Sequence, residues 1–359
     1  LEDRQYDNPV AARDYFERAL AANPAHVEAY TLYADALADL GDHERALEVR
    51  REAVERDPLS TFLKSRLVAL LGNIGRLDEA EDLLDEIFAL NPEDTYGYEE
   101  LGNLCFIQGR LADAVKAYEF VHENRAGDPY AAANIAANYA LMMDYDKAQS
   151  WVEAARARGA GNRWELEARY SVALWRGDWD GVFRVGQLHL AKEGTTWQGQ
   201  ASLGKGDWEA ARASFKRALS RLNYRQGDQP TGLALEPLVG LAFAEKQLGI
   251  DTWALNAAAA RQYAETVLRH SETLGSWPNL NLTYLLAQIS AMSGDREGAV
   301  EQMEAALGKN LLQHTFLEHD PFFTAFRDDP RLRAVAEQMR ERALAERRKL
   351  EMPATAAPT

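Results

Sequence analysis

Three prolines set the frame for this chain. Pro24, Pro58 and Pro92 each follow an Asn or Asp, and they lie 34 residues apart. Proline cannot continue a helix, so each pair marks an element boundary at the same phase. Ala12, Ala46, Ala80, Ala114 and Ala148 keep the 34-residue period, and so do Gly41, Gly75 and Gly109. A period of this length means that one supersecondary unit recurs, and that each copy hides its apolar side against the next. The expected fold is an array without a single central core, so the length of 359 residues says little about domain number.

Within a unit the apolar spacing is helical. In "AARDYFERALAANP", Ala12, Phe16, Ala19 and Leu20 follow the i, i+4, i+7, i+8 pattern of one helix face. In "YEELGNLCFIQG", Tyr98, Leu101, Gly102 and Cys105 make a second face. Alternating and β-branched runs are scarce, which predicts an all-α fold. A 34-residue helix–turn–helix unit with Tyr98, Leu101, Gly102, Gly109, Ala114 and Tyr118 at these intervals resembles the tetratricopeptide repeat (TPR). The resemblance implies a right-handed superhelical solenoid of helix hairpins with a C-terminal capping helix. A regular array is expected over residues 1–191: a partial first repeat, then copies at 27–60, 61–94, 95–128, 129–162 and 163–191. An irregular TPR-like array follows over 192–312, capping helices over 313–350 and a disordered tail over 351–359.

The irregular half has its own marks. "KEGTTWQGQAS", within 192–204, is expected to interrupt the helices, and "RLNYRQGDQPTG" at 221–232 reads as an exposed loop. Two longer helices, 233–248 and 253–274, are expected with an expanded turn between them, and "GSWPN" at 275–279 as a further break. The stretch "LGKGDWEAARASFKRAL" places Lys205 between two glycines, residue types that phosphate loops also combine. A phosphate loop needs G-x-x-x-x-G-K-[ST] after a strand, and neither condition holds. Gly206, Ala211, Phe215 and Ala218 instead repeat the phase of Gly109, Ala114, Tyr118 and Val121, so "GDWEA" is a hairpin turn with Trp208 wedged into it. Asp320-Pro321 and Asp329-Pro330 read as helix starts. "DPFFTAFRDDPRL" is similar to the close of TPR regions in bacterial multidomain signalling proteins, among them winged-helix regulators, adenylate cyclases and kinases. That resemblance implies a bacterial chain whose output domain lies upstream. The first residue, leucine in place of methionine, fits a processed chain or a fragment.

For function, the resemblance implies a concave face lined by each repeat's first helix and able to hold an extended peptide or a helix. The second residues of successive repeats are Phe62, Tyr96, Tyr130 and Trp164, an aromatic ladder with a 34-residue rise. These are either anchors for a ligand chain or packing between neighbouring helices. Polar residues of the same helices lean acidic: Glu28, Asp35, Asp39, Glu99, Glu100 and Glu167, with Asn103 and Asn138. They form either a groove for a basic or amide-rich segment or a solvated acidic surface. A clamp for a C-terminal carboxylate is not expected, since the matching pairs are Thr31/Asp35, Ser65/Ala69 and Glu99/Asn103. The net charge of −16 opposes nucleic-acid binding, and the basic residues Arg340 to Lys349 are interleaved with glutamates. The most apolar window, 131–143, is too short to span a bilayer, so no membrane insertion is expected. No catalytic constellation, metal site or cofactor motif is found; His314 and His319 lack a zinc-helix spacing, and Cys105 falls on a core position. The sequence therefore reads as a non-catalytic protein- or peptide-binding scaffold or adaptor. The alternative is a sensory or regulatory module of a larger bacterial signalling protein.

Overall fold

The computed structural model describes residues 9–351 except 24–25, 41, 190–191, 271–276 and 313. Gly41, the tail beyond 351 and residues 275 and 276 of the expected break lie outside the described residues, while 277–279 open a helix instead of continuing the break; the side chains of Glu28 and Asp39 are likewise not described. The described residues contain helices and no strands. A lone helix α1 (Pro9–Ala22) is followed by hairpins α2 (Val27–Asp39)–α3 (His43–Arg56), α4 (Thr61–Asn73)–α5 (Leu77–Leu90), α6 (Thr95–Ile107)–α7 (Leu111–Asn124) and α8 (Tyr130–Leu141)–α9 (Tyr145–Gly159). Next come α10 (Arg163–Arg176)–α11 (Trp179–Leu188), α12 (Lys192–Gly204)–α13 (Trp208–Arg221), α14 (Gly232–Gln247)–α15 (Trp253–His270) and α16 (Trp277–Ser293)–α17 (Arg296–Gly308). The chain closes with α18 (His314–His319), a 3₁₀ turn (Pro321–Phe326) and the long α19 (Pro330–Glu351). The architecture is a right-handed superhelical solenoid of TPR-type hairpins, capped by α19. Among the described residues no helix is long and apolar enough to cross a membrane.

Local chemistry sets the helix boundaries. Asp42, Ser60, Asp94, Asp144, Asn162, Asp178, Asp207 and Asp295 each cap the helix that follows by accepting from a backbone N–H. Such a cap contributes about 1 kcal/mol. The hairpin turns share one geometry: Arg110 N donates to Cys105 O at 2.8 Å, Asp144 N to Tyr139 O at 2.9 Å and Asp178 N to Ala173 O at 2.9 Å. This closure needs a left-handed residue in the turn, supplied by Gly109 and Gly177 at φ 73° and 72° and, at the equivalent point, by Met143 at φ 59°. "LGKGDWEA" is another such turn: Gly206 has φ 74°, Asp207 caps α13, and Lys205 pairs with Asp180 and lies over the Phe183 ring at 5.0 Å. The Trp208 ring lies over the turn glycine Gly206 of its own hairpin and also meets Phe243 of the next one edge-on at 5.9 Å.

Residues 192–204 differ from expectation, because the "KEGTTWQGQAS" segment is helix α12 and not an interruption. Its Gly and Thr content disfavours a helix, but Thr195, Thr196, Trp197, Ala201 and Leu203 are buried. Tertiary burial overrides propensity there. The glycines mark a close approach: a Cβ on Gly194 would stand 2.7 Å from the Gly186 carbonyl oxygen.

The C-terminal segment does more than cap. Leu332, Val335 and Met339 of α19 join the core of the last hairpins. Farther along, Leu350 packs against the cluster built from α6 to α10, to which Leu312 also belongs. Arg347 reaches the α8–α9 turn, pairing with Asp144 at 3.3 Å and donating to Met143 O at 3.2 Å. Glu346 accepts from Ala112 N at 3.0 Å. With α16 touching α4, the superhelix closes on itself. The basic run of α19 is therefore largely engaged within the protein, Arg340 with Glu318, Arg342 with Leu307 O and Lys349 with Glu346.

Candidate functional site

First helices of neighbouring hairpins touch one another at four points of the array (α4 with α6, α8 with α10, α12 with α14, α14 with α16), whereas second helices scarcely meet. The first helices are therefore the inner, concave wall. The aromatic ladder divides on that wall into two pairs. Phe62 on α4 and Tyr96 on α6 meet edge-to-face at 5.3 Å and are 41% and 43% exposed. Tyr130 on α8 and Trp164 on α10 meet edge-to-face at 4.7 Å, but both are half-buried against the α6–α10 core. Between the pairs stands Arg125, its guanidinium 4.8 Å from the Tyr96 ring centroid. It pairs with Glu99 and with Asp128.

Asn103 holds the centre of the wall. Its Oδ1 accepts from the Tyr118 hydroxyl at 2.6 Å and from the Tyr130 hydroxyl at 2.9 Å, and its Nδ2 donates to Glu100 at 2.9 Å. Burial pushes the Glu100 carboxyl up to about 7 against that hydrogen bond and against the attraction of Arg66 and Arg50. Arg50, also buried, pairs with Asp35 at 2.5 Å, and desolvation lowers its pKa to about 10. Its Nε and Nη1 have no hydrogen-bond partner among the described residues. Glu167 pairs with Arg163 at 2.6 Å, and Arg163 in turn lies over Trp164. Asn138 stands apart from this group: it is 1% exposed, its Nδ2 donates to Asn134 O, and its Oδ1 meets no partner among the described residues.

A second polar line continues the wall beyond the residues singled out in the sequence. The Tyr170 hydroxyl donates to Gln200 Oε1 at 2.6 Å, Gln200 donates to Glu236, and Tyr170 stacks on Trp197 at 4.2 Å. Glu236 is exposed to water and accepts from Gln200. Tyr170, Gln200 and Glu236 lie 30 and 36 residues apart, so a 34-residue comb passes over them.

The other chemistry-bearing residues have structural occupations. Cys105 is buried, which raises its thiol to about 11. Asp320 accepts from the Tyr284 hydroxyl, from Gln288 at 2.7 Å and from Phe322 N at 2.9 Å. No group of His, Cys, Asp and Glu suited to a metal occurs among the described residues.

Residues 4–61 and 67–129 match the family model of the tetratricopeptide repeat. Over 78 residues the chain is 32% identical to the small glutamine-rich tetratricopeptide repeat-containing protein 2 of Mycosarcoma maydis, a match that spans 22% of each protein. Among solved structures, the Rap protein complexed with Competence and Sporulation Factor shares the fold, with a TM-score of 0.53, 15% identity and coverage of 90% of this chain and 98% of that one. The APC/C hetero-tetramer Cut9–Hcn1 is similar at a TM-score of 0.44 and 13% identity, over 94% of this chain and 53% of that chain. This chain thus spans about a fifth of the curated relative and about half of the Cut9–Hcn1 chain.

Proposed function

We propose that the inner wall of α4, α6, α8 and α10 holds an extended segment of a partner protein, with Phe62 and Tyr96 as its apolar anchors. Solenoids of TPR type serve as protein-interaction scaffolds, and a scaffold needs positioned contacts more than reactive groups. One observation carries the reading: two large rings stand side by side, 41% and 43% exposed, on the concave face. Aromatic side chains with open faces are the usual carriers of binding energy at interfaces. Tyr130 and Trp164 serve as the floor beneath them, being committed to the core.

The partner chemistry follows from what is already spent. Glu99 and Glu167 hold Arg125 and Arg163, so a strongly basic partner would have to displace existing pairs. A segment with apolar and amide side chains fits with less rearrangement. The Rap structure named above, which contains Competence and Sporulation Factor, shares the fold and so makes a held partner a natural comparison. The signalling-module alternative rests on the 320–332 segment, and Asp320 there already has a local task in joining α16 to the 3₁₀ turn.

The test is a photo-crosslinking amino acid at Phe62 in the full chain, with partner affinity measured for wild type and for the F62A/Y96A variant. Both side chains are exposed, so the fold should lose little stability. The expected result is a crosslink at position 62 to the partner that wild type captures, and a loss of affinity of about tenfold or more in the variant. Unchanged affinity in F62A/Y96A removes the anchors from this account.

A further inference from the structure

The connection between α14 and α15 departs from the other hairpins, and the departure builds a site. In the standard turn, the residue whose carbonyl closes the loop is Leu71, Cys105, Tyr139, Ala173, Ser202 or Ser290. None of these is charged. In the α14–α15 turn that position is Glu245, whose carbonyl accepts from Ile250 N at 2.9 Å, and whose side chain is 2% exposed. Burying a carboxylate costs several kcal/mol unless partners are built around it. Here they are. The turn is extended through Thr252, whose hydroxyl donates to Glu245 Oε2 at 2.8 Å. Asn256, 4% exposed, donates to the same oxygen at 2.9 Å. The expanded turn that the sequence announces thus supplies Thr252, and the first turn of α15 supplies Asn256.

The other oxygen, Glu245 Oε1, faces two cations of α13 across longer gaps: Arg212 Nε at 3.5 Å and Lys216 Nζ at 3.9 Å. These three groups line a cavity of about 610 Å³ between α13 and the α14–α15 turn. Arg225 lies at its rim, and its guanidinium has no hydrogen bond or ion pair with the described residues. Leu219, Leu241 and Ile250 add an apolar wall. Three cations therefore face one carboxylate in a chain whose net charge is −16. Thr252 and Asn256 hold only Oε2, and three cations against one carboxylate leave the cavity lining a surplus of about two positive charges. Its volume is in the range of small-molecule sites.

We propose that this cavity binds a small molecule carrying a dianionic oxyanion, such as a phosphate monoester, on a compact apolar body. Arg212 and Arg225 offer planar donor pairs to the oxyanion and Lys216 a point charge. Glu245 keeps Arg212 aimed into the cavity, and the body lies against Leu219, Leu241 and Ile250. The site lies outside the concave wall and stands independently of what that wall holds.

Phenyl phosphate is the probe, titrated calorimetrically into the full chain at physiological salt, with inorganic phosphate and benzyl alcohol alongside. Saturable binding of phenyl phosphate with one site per chain is expected, tighter than either companion. The K216A/R225A variant removes two exposed cations without touching the core and should weaken binding about tenfold or more. R217A, on the same helix but absent from the cavity lining, should leave it unchanged. No saturable binding, or equal weakening by R217A and by K216A/R225A, would overturn the assignment. Benzyl alcohol or inorganic phosphate binding as tightly as phenyl phosphate would overturn it as well.

Discussion

Glu100 is a carboxylic acid placed where water scarcely reaches, at 4% exposure beneath the Asn103 hub. Burial raises its pKa to about 7, well above the usual value near 4.5. The folded state then binds more protons than the unfolded state between these two values. Its contribution to stability is present in full below the unfolded pKa and is lost as pH rises through the folded one. E100Q keeps an acceptor for Asn103 and removes the titration. Between pH 5 and pH 8 the variant should lose about 2–3 kcal/mol less unfolding free energy than wild type. Urea unfolding at the two pH values measures this, and parallel losses in both proteins would show that Glu100 carries no such penalty.

Helix α7 begins without a cap from its own neighbourhood. Arg110 precedes it and makes no side-chain capping bond, unlike Asp144 before α9 or Asp178 before α11. The missing acceptor comes from Glu346, 234 residues away, whose carboxylate takes the Ala112 N–H. The negative charge also sits at the positive end of the α7 dipole. E346A should destabilise the protein by about 1–2 kcal/mol and speed exchange of the Ala112 amide, while E346Q restores part of the protection. Hydrogen exchange resolved to single residues would show it, and an unchanged Ala112 amide in E346A would contradict the remote cap. At this scale the sequence is a good guide to where helices start when the cap is local. It is silent when the cap arrives from another part of the chain.

A solenoid whose repeats touch only their neighbours unfolds piecemeal, as a sum of local steps. Here Leu312, Leu350, Glu346 and Arg347 tie the last helix to the middle of the array, and α16 touches α4. The tie should make unfolding more cooperative than a linear stack allows. R347E sets a carboxylate against Asp144, which is 9% exposed, and should cost about 1–3 kcal/mol. The solution scattering radius should rise, and a separate early transition should appear on melting. A scattering profile and a single transition identical to wild type would mean that the closure contributes nothing. The proposed concave site depends on the same curvature, since it determines which first-helix residues face the enclosed space. Phe62 and Tyr96 remain open there, while Tyr130 and Trp164 at the same phase sink into the core.

Periodic Ala, Gly and Asp-Pro or Asn-Pro positions by themselves determined the hairpins, their turns and the stacking phase, because each signal acts within about one repeat length of chain. The candidate wall was legible as a row of phases, with Phe62, Tyr96, Asn103 and Tyr130 on it. Only the tertiary structure decided that α12 is a helix despite its glycines, that Asn138 turns inward, and that Tyr170, Gln200 and Glu236 extend the wall. The same is true of Glu346 capping α7 and of Glu245 gathering Arg212 and Lys216. The physical reason is accumulation: small rotations from one hairpin to the next add up over the array, and their sum brings together side chains that no local pattern relates.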